Sequence, residues 1–247
     1  MWRRKWTTKS ITKKYINIFE NYVSNYNKED TLIEKKRTHS YRVAIHAAKI
    51  AQSINLNQEQ IDIAYICGLF HDIGRFEQAK QSHTYDDRFF QDHGDYGAKV
   101  LEDKLASEIT QDKKIQNIII LATKYHNKYA IGQVSEEEEL YCKIVRDADK
   151  IDIMEYQINE IDGKYPLDKE VVQSILEHKL CKNGIVNNKL DHLLRMMCFI
   201  YDMHFNYSLR YIIDNGILEK KFNLIKNHSQ EDTTQLIENI YNYIGGR

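Results

Sequence analysis

Apolar residues recur at helical spacing along most of this chain. In "HSYRVAIHAAKIAQSI", Val43, Ala47, Ile50 and Ile54 share one face, the three-to-four-residue period of a helix with one buried side. Asn57 and Gln60 open the next helix in the pattern of a capping box, and Ile61, Ala64 and Gly68 carry its stripe. Gly74 is read as the left-handed residue that stops this helix just after His71 and Asp72. "RFEQAKQSHTYDDRFFQ" has few apolar anchors and reads as a polar connector to a helix at "DHGDYGAKVLEDKL". In "DKKIQNIIILATKYHNKYAIG" a stripe of Ile115, Ile118, Ile119 and Ala122 predicts a helix that ends at Gly132. Ser135 and Glu138 cap a helix through "ELYCKIVRDADKIDIMEY", and the acidic run at its start complements the positive end of the helix. Further helices are expected near 168–180, 188–206 and 232–244, with loops at "IDGKYP" and "CKNGIVNN".

No internal repeat and no linker rich in Pro, Gly or Ser divides this pattern. The expectation is one all-α domain over 1–247, a helical bundle with the C-terminal helices packed over the core. Composition agrees: 247 residues suffice to bury a core, and one proline with ten glycines leaves few helix breakers.

Several apolar stripes end on a metal-binding side chain. The stripe of Val43, Ala47 and Ile50 runs back to His39, and that of Ile61, Ala64 and Gly68 runs on to His71 and Asp72. Backwards from Gly97 and Val100 lies His93, and forwards from Ile119 and Ala122 lies His126. Leu140, Ile144, Val145 and Ala148 place Asp149 on or beside a buried face, with Asp152 three residues on. A buried imidazole or carboxylate is costly without a partner, so repeated intrusions of one chemistry point to convergence on a cation. Imidazoles mixed with carboxylates and no thiolate suit Fe, Mn, Co, Ni or Zn better than an all-oxygen magnesium site. Six ligands exceed what one ion needs if water is to stay bound, which favours two ions, with Asp72 as the natural bridge.

Charge and cysteines narrow the setting. Lys+Arg 35 against Asp+Glu 36 leaves a formal charge of −1, which gives no bias toward nucleic acid or an anionic membrane. Cys67, Cys142, Cys181 and Cys198 form no C-x-x-C pair and are expected to be buried, reduced thiols of a cytoplasmic protein. The basic start "MWRRKWTTKSITKK" lacks the apolar run of a signal peptide and is read as a solvated terminus. No stretch approaches the roughly 20 apolar residues of a membrane helix.

The ordered set His39, His71-Asp72 and Asp149 within "RDADKID" resembles the HD-domain superfamily of metal-dependent phosphohydrolases. The resemblance spans about 35–155, with "HSYRVA", "GLFHDIGRF", "DHGDYGA", "YHN" and "RDADKID" as landmarks, and leaves about 156–247 as a helical extension. It implies an all-helical fold in which His39, His71, Asp72 and Asp149 bind metal. Asp149 is preferred to Asp147 because the last ligand of the family precedes a basic residue, here Lys150. His93 and His126 resemble the additions of the branch with binuclear centres.

The implied chemistry is attack of a metal-activated water on a phosphoester or phosphoanhydride, with Asp72 orienting or deprotonating that water. Arg42, Arg75 and Lys150 are candidates for holding phosphate, and Arg75 and Lys150 also for a catalytic role. The compact size resembles stand-alone nucleotide phosphohydrolases, and the Gly-Tyr-Pro signature of the cyclic-dinucleotide branch is absent from the sequence. The expected partner is a small phosphorylated molecule, in the first place a nucleotide, with neither membrane nor stable nucleic-acid binding; a homo-oligomer is compatible. The same ligand order also resembles HD-fold di-iron oxygenases, which would act on a polyol or organophosphonate. His46 is expected to be a core or supporting histidine, and His204 to be core.

Overall fold

A computed structural model describes residues 9–181 and 186–246. Most of the basic start and part of the "CKNGIVNN" loop therefore lie outside the described residues. Among the described residues the chain is all-α, with no strand and one isolated bridge between Tyr165 and Ser229. Its contacts group into two compact units, Met1–Val145 and Arg146–Arg247.

The first unit contains α1 (Lys9–Val23), α2 (Thr31–Ser53), α3 (Gln58–Phe70), α4 (Arg75–Ser82), α5 (His93–Val100), α6 (Ala106–Ile109) and α7 (Lys113–Tyr125), and α8 (Glu136–Tyr156) begins in it. The capping box at Asn57 and Gln60 is present in full. So is that at Ser135 and Glu138: the Glu138 amide donates to Ser135 Oγ, and the Ser135 amide donates to Glu138 Oε2.

The stripes of α2 and α3 pack directly on each other. Ala44, Ala47 and Gly68 keep the crossing close, so that a Cβ on Gly68 would lie 2.8 Å from the Ala44 Cα. Phe19 of α1 closes one side, meeting Tyr41, Phe70 and Phe76 edge to face at 5.5–5.8 Å between ring centroids.

Three local expectations are corrected. Gly74 is right-handed, with φ −70° and ψ −23°; it is needed for space, since a Cβ there would sit 2.4 Å from the His93 carbonyl oxygen and 2.9 Å from the Gly97 amide nitrogen. The polar connector contains a helix, α4, because Phe76 and Ala79 anchor it in the core although its period is too short to stand out. The helix through Ile119 ends at Tyr125 rather than Gly132, with His126 as its cap.

The Gly74 contact yields a test. Gly74→Ala should destabilise the protein by at least the roughly 1–3 kcal/mol of overpacking, because backbone rather than a flexible side chain must move. Urea denaturation followed by circular dichroism would measure it, and a change of less than 0.5 kcal/mol (order of magnitude of an ordinary surface substitution) would remove the explanation.

The second unit comprises the end of α8 with α9 (Lys169–Leu176), α10 (Lys189–Met197), α11 (Asn206–Asp214), α12 (Ile217–His228) and α13 (Thr234–Gly245). Helices α11 and α12 were not predicted. The helix expected over 188–206 ends at Met197 and passes into a 3-10 turn, Cys198–Asp202. Leu193, Leu194, Met197, Ile212, Phe222, Ile225 and Ile240 form its interior. Lys221 is buried there, and its ammonium donates to the carbonyls of Gln157 and Ile158 and to Asn159 Oδ1, just past the end of α8. Burial lowers its pKa to about 8. No helix among the described residues is long and apolar enough to cross a membrane.

Candidate metal centre

In the first unit, His39 projects from α2, His71 caps α3, Asp72 follows in the turn, His93 opens α5 and His126 caps α7. All five are buried. They form two groups of three that share Asp72: His39 and His71 with Asp72, and His93 and His126 with Asp72.

The carboxylate divides its oxygens between the groups. Asp72 Oδ2 lies 3.4 Å from His39 Nε2 and 3.5 Å from His71 Nε2. Oδ1 lies 3.6 Å from His93 Nε2 and 3.4 Å from His126 Nε2. Within the pairs, the Nε2 atoms of His39 and His71 are 3.2 Å apart, and those of His93 and His126 are 3.0 Å apart.

Local structure fixes the tautomers. A carbonyl or a carboxylate can only accept, so a ring nitrogen beside one must carry the proton. His71 Nδ1–H donates to the Gly68 carbonyl at 2.8 Å, and His126 Nδ1–H to the Thr123 carbonyl at 2.7 Å. These are matching caps, each taking a carbonyl from the last turn of its own helix. His93 Nδ1–H donates to Asp87 Oδ2 at 2.8 Å. In their neutral forms these three histidines therefore aim an Nε2 lone pair inward, and those of His93 and His126 face each other at 3.0 Å. Two lone pairs at that distance repel unless a cation lies against both, and ring nitrogens oriented through their other N–H are the usual supports of metal ligation. The donor set therefore fits a divalent ion.

Electrostatics agree. Burial opposes ionisation of Asp72, but the Lys36 ammonium and the imidazoles of His71, His126 and His39 around it outweigh that cost and hold the carboxyl well below its ordinary range. Burial pushes the His93 pKa down to about 4, against the opposing hydrogen bond to Asp87. His93 is thus held neutral, in the state a metal requires.

The HD domain family model matches residues 37–154. Over that segment the chain carries an HD domain. HD domains bind divalent metals, and the superfamily is one of metal-dependent phosphohydrolases. No curated protein and no solved structure matched the chain.

The HD motif itself, His71-Asp72, lies past the last turn of α3 rather than on its stripe. The landmarks "DHGDYGA" and "YHN" are tied together: Asp92 caps α5 through the amides of Gly94 and Asp95 and accepts from Asn127 Nδ2, both bonds at 3.1 Å. This link fixes His93 and His126, the immediate neighbours of Asp92 and Asn127.

Arg75 lies at the start of α4, with Nε 3.7 Å from Asp72 Oδ1 and one terminal nitrogen bonded to Gln78, the Tyr85 carbonyl and Asp87. Arg42 is half-buried on α2, one turn beyond His39. His46 is buried on the same helix.

In the second unit, Asp149 is half-buried on α8. Lys150 is buried with its Nζ 2.6 Å from Asp202 Oδ2, an oxygen that also accepts from Arg146. Asp147 is fully buried and accepts from the amides of His204 and Phe205, His204 Nδ1–H and Ser208 Oγ. His204, expected in the core, is only half-buried and makes this polar contact instead.

Sequence reasoning missed three residues at the HD motif. Lys36 Nζ sits 2.6 Å from Asp72 Oδ2. Asp87 orients His93, and Tyr85 places its ring against Lys36 and Arg75. Lys36 shares a helix face with His39 three residues later, a signal open to inspection; Tyr85 and Asp87 lie in a segment with no periodicity to mark them.

Proposed function

We propose that this protein is a metal-dependent phosphohydrolase with two divalent ions, acting on a phosphoester or phosphoanhydride of a small molecule, in the first place a nucleotide. The observation that carries this reading is the division of Asp72: one oxygen faces the His39/His71 pair and the other faces the His93/His126 pair, as a bridging carboxylate requires. Asp149 is proposed as the remaining carboxylate ligand from its position in the matched segment, with Lys150 beside it as a positioning cation. Asp147 is set aside, because four donors already occupy its oxygens.

Bound divalent ions supply a water of lowered pKa and charge stabilisation at the phosphoryl oxygens. The protein's own part is to hold the donors and limit access of bulk water. The Gly68 and Thr123 carbonyls and Asp87 lock three imidazoles in the ligating tautomer, so little reorganisation accompanies turnover. In this reading Asp72 would hold the ions and help to orient or deprotonate the attacking water. Arg75 and Arg42 are proposed to contact the substrate.

The test is phosphate release under anaerobic conditions from a panel of nucleotides and simple phosphoesters, with metal content measured on the same preparation. Oxygen-independent release that a chelator abolishes and added divalent metal restores is the expected result. Iron with oxygen uptake on a polyol or organophosphonate, and no phosphate release, would instead identify the di-iron oxygenase chemistry of the same ligand order.

A further inference from the structure

Asp72 carries a cation beside each of its oxygens. Lys36 Nζ lies 2.6 Å from Oδ2, and Arg75 Nε lies 3.7 Å from Oδ1. The second distance is too long for a hydrogen bond. Arg75 Nε is buried and has no hydrogen-bond partner among the described residues, which is unusual for so strong a donor. Its guanidinium does not hang loose, since one terminal nitrogen is fixed by Gln78 Oε1, the Tyr85 carbonyl and Asp87 Oδ1.

Lys36 is similarly placed but not saturated. An ammonium has three donors, and Asp72 is the only hydrogen-bond acceptor of Lys36 among the described residues. Both cations rest against the Tyr85 ring, at 5.1 and 5.7 Å from its centroid, and the Tyr85 hydroxyl donates to the Leu32 carbonyl of the helix that carries Lys36. The side chains of Lys36 and Arg75 are 14% and 13% exposed, against 2% for Asp72. The cations therefore stand where the buried ligand cluster approaches solvent. Asp87 neutralises part of Arg75; among the described residues no second carboxylate is paired with Lys36.

We propose that Lys36, with Arg75, forms a cradle for a terminal phosphate dianion, so that the preferred substrate presents a phosphomonoester or the end of a polyphosphate rather than an internal diester. A terminal phosphate carries nearly two charges at neutral pH and three acceptor oxygens. A diester has one charge and two such oxygens, and so gains less from two protein cations beside the metal site. Lys36 contributes spare ammonium protons, and Arg75 contributes the buried Nε–H that lacks an acceptor. This inference rests on the hydrolase reading and narrows its substrate class.

The test uses the full-length, metal-loaded protein with inorganic phosphate and dimethyl phosphate as probes in titration calorimetry. Lys36→Met should retain wild-type metal content and bind inorganic phosphate about 10- to 100-fold more weakly, the range for a lost charged hydrogen bond. Dimethyl phosphate should lose less, and Lys36→Arg should recover part of the phosphate affinity. Lys36→Gln, uncharged but still a donor, serves in place of the Met variant if that fails to fold. Comparing KM for a nucleoside monophosphate and a triphosphate in the same variants separates the two sources of a terminal phosphate. Phosphate affinity within twofold of wild type at full metal content would overturn the inference and leave the hydrolase reading standing. Loss of metal in both Lys36→Met and Lys36→Gln would also overturn it, by reducing Lys36 to a support for Asp72. A wild-type protein that holds metal but releases phosphate from no ester would instead remove the hydrolase reading.

Discussion

Asp72→Ala is expected to strip the protein of bound metal and reduce phosphate release to background. No other substitution in the cluster removes a donor from both histidine pairs, because the two Asp72 oxygens face different pairs. Loss of a hydrogen-bonding partner to a ligand costs about 10- to 100-fold in metal affinity. Loss of a ligand shared by two ions should exceed that for both, and elemental analysis should read near zero rather than one ion per chain. His126→Ala, which touches one pair only, should leave the His39/His71 side able to hold an ion. Equal loss of metal in the two variants would count against a bridge. Asp72→Ala also leaves the Lys36 ammonium without its carboxylate; since Lys36 retains some exposure it can turn toward water, and the cost to folding should be modest. The combined Asp72→Ala, Lys36→Met variant should then be no less stable than Asp72→Ala alone.

Asp147→Ala should act on stability. This carboxylate is fully buried and accepts from two backbone amides, an imidazole N–H and a hydroxyl at the start of α11, whose own N-cap, Phe205, makes no side-chain capping bond. It is in effect a cap supplied from another helix, with its charge at the positive end of α11. Deleting it strands these donors, and each buried donor left unsatisfied costs about 1–3 kcal/mol. For a chain of this size the midpoint of thermal unfolding should fall on the order of 10 °C. Metal content per folded chain should survive, whereas Asp149→Ala should lower it with little change in midpoint. The reverse pattern would exchange the roles assigned to the two aspartates.

Much of the first unit was legible in the sequence because local rules act there without competition. The capping boxes at Asn57 and Ser135 need only residues three apart, and the stripes of α2, α3 and α7 need only one dry face. Where those rules failed, a contact distant in sequence had decided. Gly74 resembles a helix stop but is required by the approach of the backbone at His93 and Gly97. α4 resembles a connector because two apolar anchors suffice once Phe19 and Tyr26 cover Phe76.

The sequence alone determined the all-helical class, the HD domain and the identity of five side chains that cluster, since each of these is written in period, order and residue type. Only the tertiary structure decided which oxygen of Asp72 faces which histidines, which ring nitrogens carry protons, that Lys36 stands against the HD aspartate, and that Asp147 is consumed in capping α11. Those outcomes depend on distances of about 3 Å between residues tens of positions apart. Helical periodicity says which face a side chain is on, but not what waits on the other side.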